Sequence, residues 1–212
     1  SVEIVMMCSI ASSKPQMAAT CWGGHSGSNM NGDKTEANLG GQDYWVVKLD
    51  PFGNIQWQNT IGGNYNDFLK SIIQSSDGGY LLGGYSESDI SGDKTEDSSF
   101  SLSDYWVVKL DEAGNILWEN TIGAATNDFL NCVIQTTDGG YMLGGYSNSG
   151  ISGDKTEVSW LSDYWVLKLD EAGNIEWQNT IAGGHADYLN SIIQTDDGGY
   201  LLGGVFFIRY LG

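Results

Sequence analysis

Apolar and polar side chains alternate over short stretches of this chain, most clearly in DYWVVKLD at residues 43–50. A period of two places Trp45 and Val47 on one face and Tyr44 and Val46 on the other, which predicts a β-strand. Aromatic and β-branched residues favour the same assignment, and no stretch shows the sustained 3.6-residue period of a helix. The predicted fold class is therefore all-β.

The strand motif occurs three times, which makes the repeat the main organising feature of the chain. It returns at residues 104–111 and, with one Val→Leu change, at residues 163–170. GDKTE begins at Gly32, Gly92 and Gly153, so the period is about 60 residues. Each copy is expected to form one structural unit stacked on the next.

Each repeat contains four predicted strands joined by turn sequences. The DYWVVKL strand is followed by strands at residues 55–61, 68–74 and 80–85, and the later repeats follow the same order. Asp-x-x-Gly-Asn and Asp-Gly-Gly segments supply the tight turns. Four short antiparallel strands per repeat are typical of a β-propeller blade, with residues 68–74 as an innermost strand.

The blade boundaries divide the chain into six segments. They are an aberrant N-terminal segment (1–22), the outer half of blade 1 (23–61), blade 2 (62–122), blade 3 (123–181), the inner half of blade 4 (182–204) and an aberrant C-terminal tail (205–212). About three and a half repeats are present, and joining the two halves would give only three blades, fewer than the roughly four needed for closure. We therefore predict an open or incomplete propeller that exposes sheet edges, through which the chain could associate with itself.

The two aberrant ends suggest a shifted reading frame. Residues 15–22, written with permitted codons and read in another frame, give SDGGYLL, and residues 205–212 give YSSFGISG. Both strings match the repeat. We hypothesise a frameshifted fragment of a longer repeat gene, which the codons of the gene would decide. The alternative is a degenerate leader over residues 1–19, although its few apolar residues make a poor signal sequence.

Composition narrows the functional classes. The 212 residues carry 27 acidic and 9 basic side chains, a formal net charge of −18, which disfavours a partner made of nucleic acid. No apolar run has the length of a membrane span. Cys132 corresponds to Ser71 and Ser191 in the other repeats, so no repeated disulfide or cysteine metal site is predicted.

The long polar segments at residues 87–103 and 148–162 are the predicted binding region, because binding residues concentrate in long loops on rigid scaffolds. Both contain GDKTE, which also occurs at residues 32–36, and the acids of the three copies are the candidate ligand-binding residues: Asp33, Glu36, Asp93, Glu96, Asp154 and Glu157. Carboxylates three apart could ligate calcium, notably at Asp93, Glu96, Asp154 and Glu157, although the EF-hand pattern is absent. The favoured alternative is an Asx turn or a one-turn helix capped by Asp, with Lys and Glu solvated.

Catalytic chemistry is not indicated. His25 and His185 have no counterparts in the other repeats, and no serine lies in a nucleophile-elbow motif. Asp43 and its two counterparts precede Tyr-Trp once per repeat, a position that favours fixing a strand entry or a loop hydrogen bond over catalysis. We predict a non-enzyme without a cofactor.

Six tryptophans recur at two positions in the repeat and are predicted to fill the space between blades. They are Trp45, Trp57, Trp106, Trp118, Trp165 and Trp177.

The string DYWVVKLD-x-x-GN-I-x-W-x-x-T-I, followed by I-I-Q-T-x-DGGY-x-x-GGYS, resembles the bacterial β-propeller repeat family usually described as seven-bladed. It is similar in particular to repeats in secreted or surface proteins of Bacteroidetes-type bacteria. The resemblance covers residues 23–204 and implies an extracellular or cell-surface, non-enzymatic module that binds protein or glycan. Such proteins are often described as lectin-like, but the mannose signature Q-x-D-x-N-x-V-x-Y is absent. A propeller that serves a carbohydrate-processing enzyme is the alternative.

Overall fold

The computed structural model describes residues 2–3, 20–98 and 102–206, and all regular secondary structure in these ranges is β-strand. The strands are β1 (Val2–Glu3), β2 (Thr20–Ser26), β3 (Asp43–Leu49), β4 (Ile55–Ile61), β5 (Asp67–Gln74), β6 (Tyr80–Ser86), β7 (Asp104–Leu110), β8 (Ile116–Ile122), β9 (Asp128–Gln135), β10 (Tyr141–Ser147), β11 (Asp163–Leu169), β12 (Ile175–Ile181), β13 (Asp187–Gln194) and β14 (Tyr200–Phe206). Among these residues no helix is long and apolar enough to span a membrane.

The strands form antiparallel sheets in the order of the sequence, one sheet per repeat. Strands β5–β8 make one four-stranded sheet and β9–β12 the next; they are blades 2 and 3. Strands β1–β4 form blade 1, and β13 and β14 form a two-stranded sheet, the half-blade. Strands β5, β9 and β13 lie next to one another, as expected of innermost strands. The chain is thus an open, propeller-like array of blades, as predicted.

Blade 1 contains more than the two outer strands expected from the sequence. Strand β2 begins at Thr20 and pairs with β3 from Thr20↔Leu49 to Ser26↔Asp43, the register that β6 makes with β7. Strand β1 adds only two residues at its inner edge. Residues 4–19 and 207–212 lie outside the described residues, so the reading-frame hypothesis for the two ends stays a prediction.

Both faces of the third strand of blade 2, β7, are buried, because this blade packs between two others. In β7, Trp106 and Val108 face blade 1, and Tyr105 and Val107 face blade 3. We call the side toward the preceding blade the rear face and the side toward the following blade the forward face. The apolar cores therefore lie between blades rather than within a single sheet.

The tryptophans predicted to fill the space between blades are buried most completely in the middle of the array. Trp106 and Trp165 are fully buried. Trp57 and Trp118 pack against the edges of the interblade cores, Trp45 is half-buried, and Trp177 is exposed. The tryptophans that lose cover are those without a complete neighbouring blade.

Candidate functional site

The long connections and the tight turns lie at opposite ends of the blades, as predicted. The tight turns place Gly53 and Gly78 at positive φ, and a 2.8 Å ion pair between Lys109 and Asp77 ties one turn to its neighbouring strand. The other end carries the described connections at residues 27–42, 87–98 and 148–162, which we call the long-loop end. Ser88 Oγ accepts a 2.9 Å hydrogen bond from the backbone of Tyr65, so these loops pack on the neighbouring connection.

GDKTE forms a tight turn in each loop, not a one-turn helix. In the second loop an isolated bridge joins Ser91 and Lys94, and Gly92 has a φ of 57°. That positive φ lies in the left-handed region, where glycine avoids the steric cost of a side chain. The helical alternative considered from the sequence is therefore wrong.

The Asp of the motif connects its loop to the preceding blade. Asp93 donates its backbone N–H to Gly62 O at 2.9 Å, and its Oδ2 accepts from Gly62 N at 3.2 Å. Asp154 makes the same pair with Gly123, at 2.9 and 3.0 Å. Gly62 and Gly123 directly follow the outer strand of the preceding blade, β4 and β8 respectively. The carboxylate therefore links two blades by a hydrogen bond and does not cap an Asx turn.

The Glu of the motif binds the outer strand of its own blade. Its Oε2 accepts the backbone N–H of a threonine in all three copies: Glu36 from Thr60 (2.5 Å), Glu96 from Thr121 (2.8 Å) and Glu157 from Thr180 (2.5 Å). A carboxylate that accepts a backbone N–H makes a charge-assisted hydrogen bond. The Glu thus fixes the loop to the blade it belongs to.

The Lys of the motif is buried, and the expectation that it is solvated was wrong. Lys94 and Lys155 are each only 1% exposed, and burial lowers their pKa values. Lys94 Nζ donates to Glu96 O at 2.9 Å and to Thr121 Oγ1. Lys155 Nζ lies 5.2 Å from the Trp165 ring, so the ammonium is held by oxygen acceptors and an aromatic face.

The six acids predicted to bind a ligand are thus placed in the turn, but five of them are engaged in internal hydrogen bonds. Asp33 is the exception: its side chain is exposed, and its backbone carbonyl accepts from Gln58. Across the described ranges, no three or more His, Cys, Asp or Glu side chains are grouped to hold a metal ion. The GDKTE motif is best described as a clasp that joins blades.

A second set of acids, which the sequence did not single out, is buried where blades meet. Asp67 Oδ2 accepts from Gly63 N at 2.7 Å and from Ser88 Oγ at 3.1 Å. Burial raises the pKa of Asp67 to about 6, and it has the same effect on Asp128.

The Asp that precedes Tyr-Trp holds its loop, as expected: Asp43 Oδ2 accepts from Leu39 N at 2.6 Å.

The raised pKa values of Asp67 and Asp128 predict that the protein becomes more stable as the pH falls from about 7.5 to about 5. Their folded-state pKa lies above the unfolded value, so the folded state binds protons more tightly and gains stability as the pH falls through 6. We expect about 1 kcal/mol per carboxyl by pH 5, measured by urea unfolding. The exposed turn acids have lowered pKa values. The pKa values of Asp77 and Asp138 are about 2, so their titration changes the stability only at lower pH.

The control for this prediction is the double variant Asp67→Asn, Asp128→Asn. Lys94 and Lys155, which lie beside these acids, and His25, which packs on Phe68, are present in both proteins. The difference in pH slope between the two proteins therefore isolates the carboxyls. Equal slopes, or a wild-type protein that loses stability over this range, contradict the assignment.

Exposed apolar side chains occupy the tips of the same loops. Met30, Ile90 and Ile151 hold equivalent positions two residues before the motif glycine and are 66%, 63% and 65% exposed. Trp160, in the third loop, is 89% exposed. Sequence reasoning missed this row because it concentrated on the acids, although an apolar residue before Asn/Ser-Gly-Asp-Lys-Thr-Glu in every copy was a visible signal.

A scan against protein-family models gives no match, and a search of curated proteins gives none either.

Proposed function

We propose that this protein is a non-enzymatic, propeller-type scaffold that binds a protein ligand through its long-loop end, in the extracellular space or at a cell surface. The observation that carries the proposal is the row of exposed loop tips, Met30, Ile90 and Ile151, one per blade. Apolar side chains exposed at the same end of three consecutive blades favour an interaction site at that end. The extracellular setting follows the resemblance to secreted and surface repeat proteins.

The surroundings of the tips favour a partner that is apolar and basic. Asp89 lies directly beside Ile90, and exposed Asp97 follows in the same loop. The whole chain carries a net charge of −18. Opposite charge around an apolar contact speeds association and selects partners, so a peptide with aliphatic or aromatic residues and Lys or Arg fits this end best.

Most acids of the GDKTE motif are held by internal hydrogen bonds, which supports a non-enzymatic role. A general acid or base needs a carboxyl that can reach a substrate. The acids of the clasp instead accept backbone N–H groups in repeated positions, as Glu96 does from Thr121. A group that occurs once per blade with the same internal partner is expected to be structural.

A glycan ligand is the second candidate, and Trp160 is the observation that favours it. Its ring is 89% exposed in the third long loop. An exposed indole is a suitable stacking platform for a sugar ring. This reading agrees with an accessory propeller of a carbohydrate-processing enzyme, but only one of the three loops offers such a ring.

The experiment is a peptide library and a glycan array, each probed with the wild-type protein and two variants. We expect basic, apolar peptides to bind, and the triple variant Met30→Ser, Ile90→Ser, Ile151→Ser to bind the selected peptide at least about 10-fold more weakly. Trp160→Ala is the matched single-site control. Peptide binding that the triple variant leaves unchanged overturns the protein-ligand proposal, and glycan binding lost only in Trp160→Ala establishes the alternative.

A further inference from the structure

The lysine of the first GDKTE motif has a different partner from the lysines of the other two. Lys94 donates to Thr121 Oγ1 in the outer strand of its own blade, and the third copy repeats this contact. Lys34 instead donates to the side-chain Oδ1 of Asn38 at 2.7 Å. Thr60 corresponds to Thr121, and its hydroxyl is buried without a hydrogen-bond partner among the described residues. Asn38 therefore replaces the threonine as the acceptor in the first repeat.

The acceptor Asn38 occurs only in the first of the three repeats. The second residue after the motif is Ser98 or Ser159 in the other two, and a hydroxyl offers no carbonyl carbon to an amine. Asn38 Nδ2 donates to Ser26 O at 2.7 Å and to Gly41 O at 2.8 Å. These two bonds fix the plane of the carboxamide and direct its carbonyl group to the lysine.

The amine of Lys34 is held at this carbonyl in a buried position. The side chain is only 4% exposed, and its Nζ also donates to Glu36 O at 2.9 Å. Burial lowers the pKa of Lys34, while the negative charges of Asp43 and Glu36 act in the opposite direction. Because burial disfavours the ammonium, the neutral, nucleophilic amine forms more readily than in a solvated lysine.

A carboxyl group that can carry protons lies beside the same two residues. Asp43 Oδ2 accepts from the backbone N–H groups of Leu39 and Gly40, which directly follow Asn38, at 2.6 and 3.4 Å. Its Oδ1 is buried and has no hydrogen-bond partner in the described part of the chain. Burial raises the pKa of Asp43, so its carboxylate takes up a proton more readily than a solvated one. The electrostatic interaction with Lys34 identifies the donor of that proton.

We propose that Lys34 Nζ and Asn38 Cγ form a covalent amide bond within the first long loop. Nζ moves from Oδ1 to the adjacent carbonyl carbon and attacks it, and the bond from Cγ to Nδ2 breaks. Nζ loses two protons in the process, and Asp43 relays them to Nδ2, which leaves as one ammonium ion. Asp43 returns to its initial state, and no bond is oxidised or reduced.

The position of the reacting groups favours this step. All of them lie between residues 26 and 60 of blade 1, so their arrangement does not depend on a neighbouring blade. A nucleophile already held at its target reacts as part of one molecule, which removes much of the entropic barrier. The amide keeps residues 34–38 joined when the loop opens, whereas the lysines of the other two motifs are held by hydrogen bonds alone.

Intact mass and a tryptic map test the bond, on purified protein incubated until its mass is constant. The wild-type chain is expected to weigh about 17 Da less than its sequence requires, because one ammonia is lost. Trypsin needs a free lysine, so the unfolded protein is expected to resist cleavage after Lys34. Lys94 and Lys155 have the same flanking residues, GD before and TE after, and are internal controls that trypsin cleaves.

Two variants separate the roles of the reacting groups. Asn38→Ser introduces the residue of the other repeats and is expected to restore both the full mass and the cleavage after Lys34. Asp43→Asn can still accept the two backbone N–H groups but cannot take up a proton, so we expect the full mass in this variant as well.

A full mass in the wild-type protein overturns the proposal. A loss of ammonia with normal cleavage after Lys34 also overturns it, since ring closure at Asn31-Gly32 would have that signature. Resistance to trypsin that persists in Asn38→Ser contradicts the assignment of Asn38 as the partner.

Discussion

Replacing Trp106 with alanine is expected to lower the free energy of unfolding by about 3–5 kcal/mol. The indole is fully buried between blades 1 and 2, with its ring centroid 4.9 Å from that of Tyr44. Its Nε1 donates to Glu119 at 2.7 Å, so truncation removes a hydrogen bond as well as packing. Urea unfolding followed by circular dichroism measures the loss.

The matched control is Trp160→Ala, which removes the same side chain from an 89% exposed position. We expect it to change the free energy of unfolding by no more than about 0.5 kcal/mol. If Trp106→Ala and Trp160→Ala unfold at the same urea concentration, Trp106 does not join the two blades as described.

The Gly145→Ala variant is expected to lose about 2–3 kcal/mol of stability. A Cβ at this position would lie 1.9 Å from Phe129 O and 2.6 Å from Tyr105 Oη. The first of these atoms is backbone of the paired strand and cannot move without distorting β9. The second is the hydroxyl that donates across the junction to Trp165 O, so the added methyl disturbs the strand pair and the interblade bond together.

Gly150→Ala provides the comparison, because no heavy atom lies within 4 Å of an ideal Cβ there and its φ is not positive. Thermal unfolding of the two variants is expected to differ by several degrees, with Gly150→Ala close to the wild-type protein. Equal melting temperatures would show that the close approach at Gly145 is not required.

The fold could be predicted from the sequence because its signals are local and repeated. Alternation in DYWVVKL places Trp106 and Tyr105 on opposite faces, and the repeat supplies the neighbour that each face needs. The Asp-Gly-Gly and Asp-x-x-Gly-Asn turns set the hairpin ends in the same way, with Gly53 at positive φ. The strand limits agree with those predicted to within one residue for β3 to β6.

The site was harder to predict, because its contacts join residues far apart in sequence. Asp93 and Gly62 are 31 residues apart and belong to different blades, which no local pattern reveals. The burial of Lys94 depends on the loop folding back over β8, where Thr121 accepts from the ammonium. Composition suggested that acids in polar loops are solvated or bind ligands, whereas tertiary packing gave them internal partners.

The central claim is that GDKTE fixes the long loops to the blades while the loop tips bind the ligand. Its most direct test is the affinity of the selected peptide for two triple variants, Met30→Ser, Ile90→Ser, Ile151→Ser and Glu36→Gln, Glu96→Gln, Glu157→Gln. We predict that the tip variant binds at least about 10-fold more weakly with an unchanged melting temperature. The glutamine variant is predicted to melt at a lower temperature and to keep its affinity below that temperature. Loss of affinity in the glutamine variant, with full binding by the tip variant, would contradict the claim.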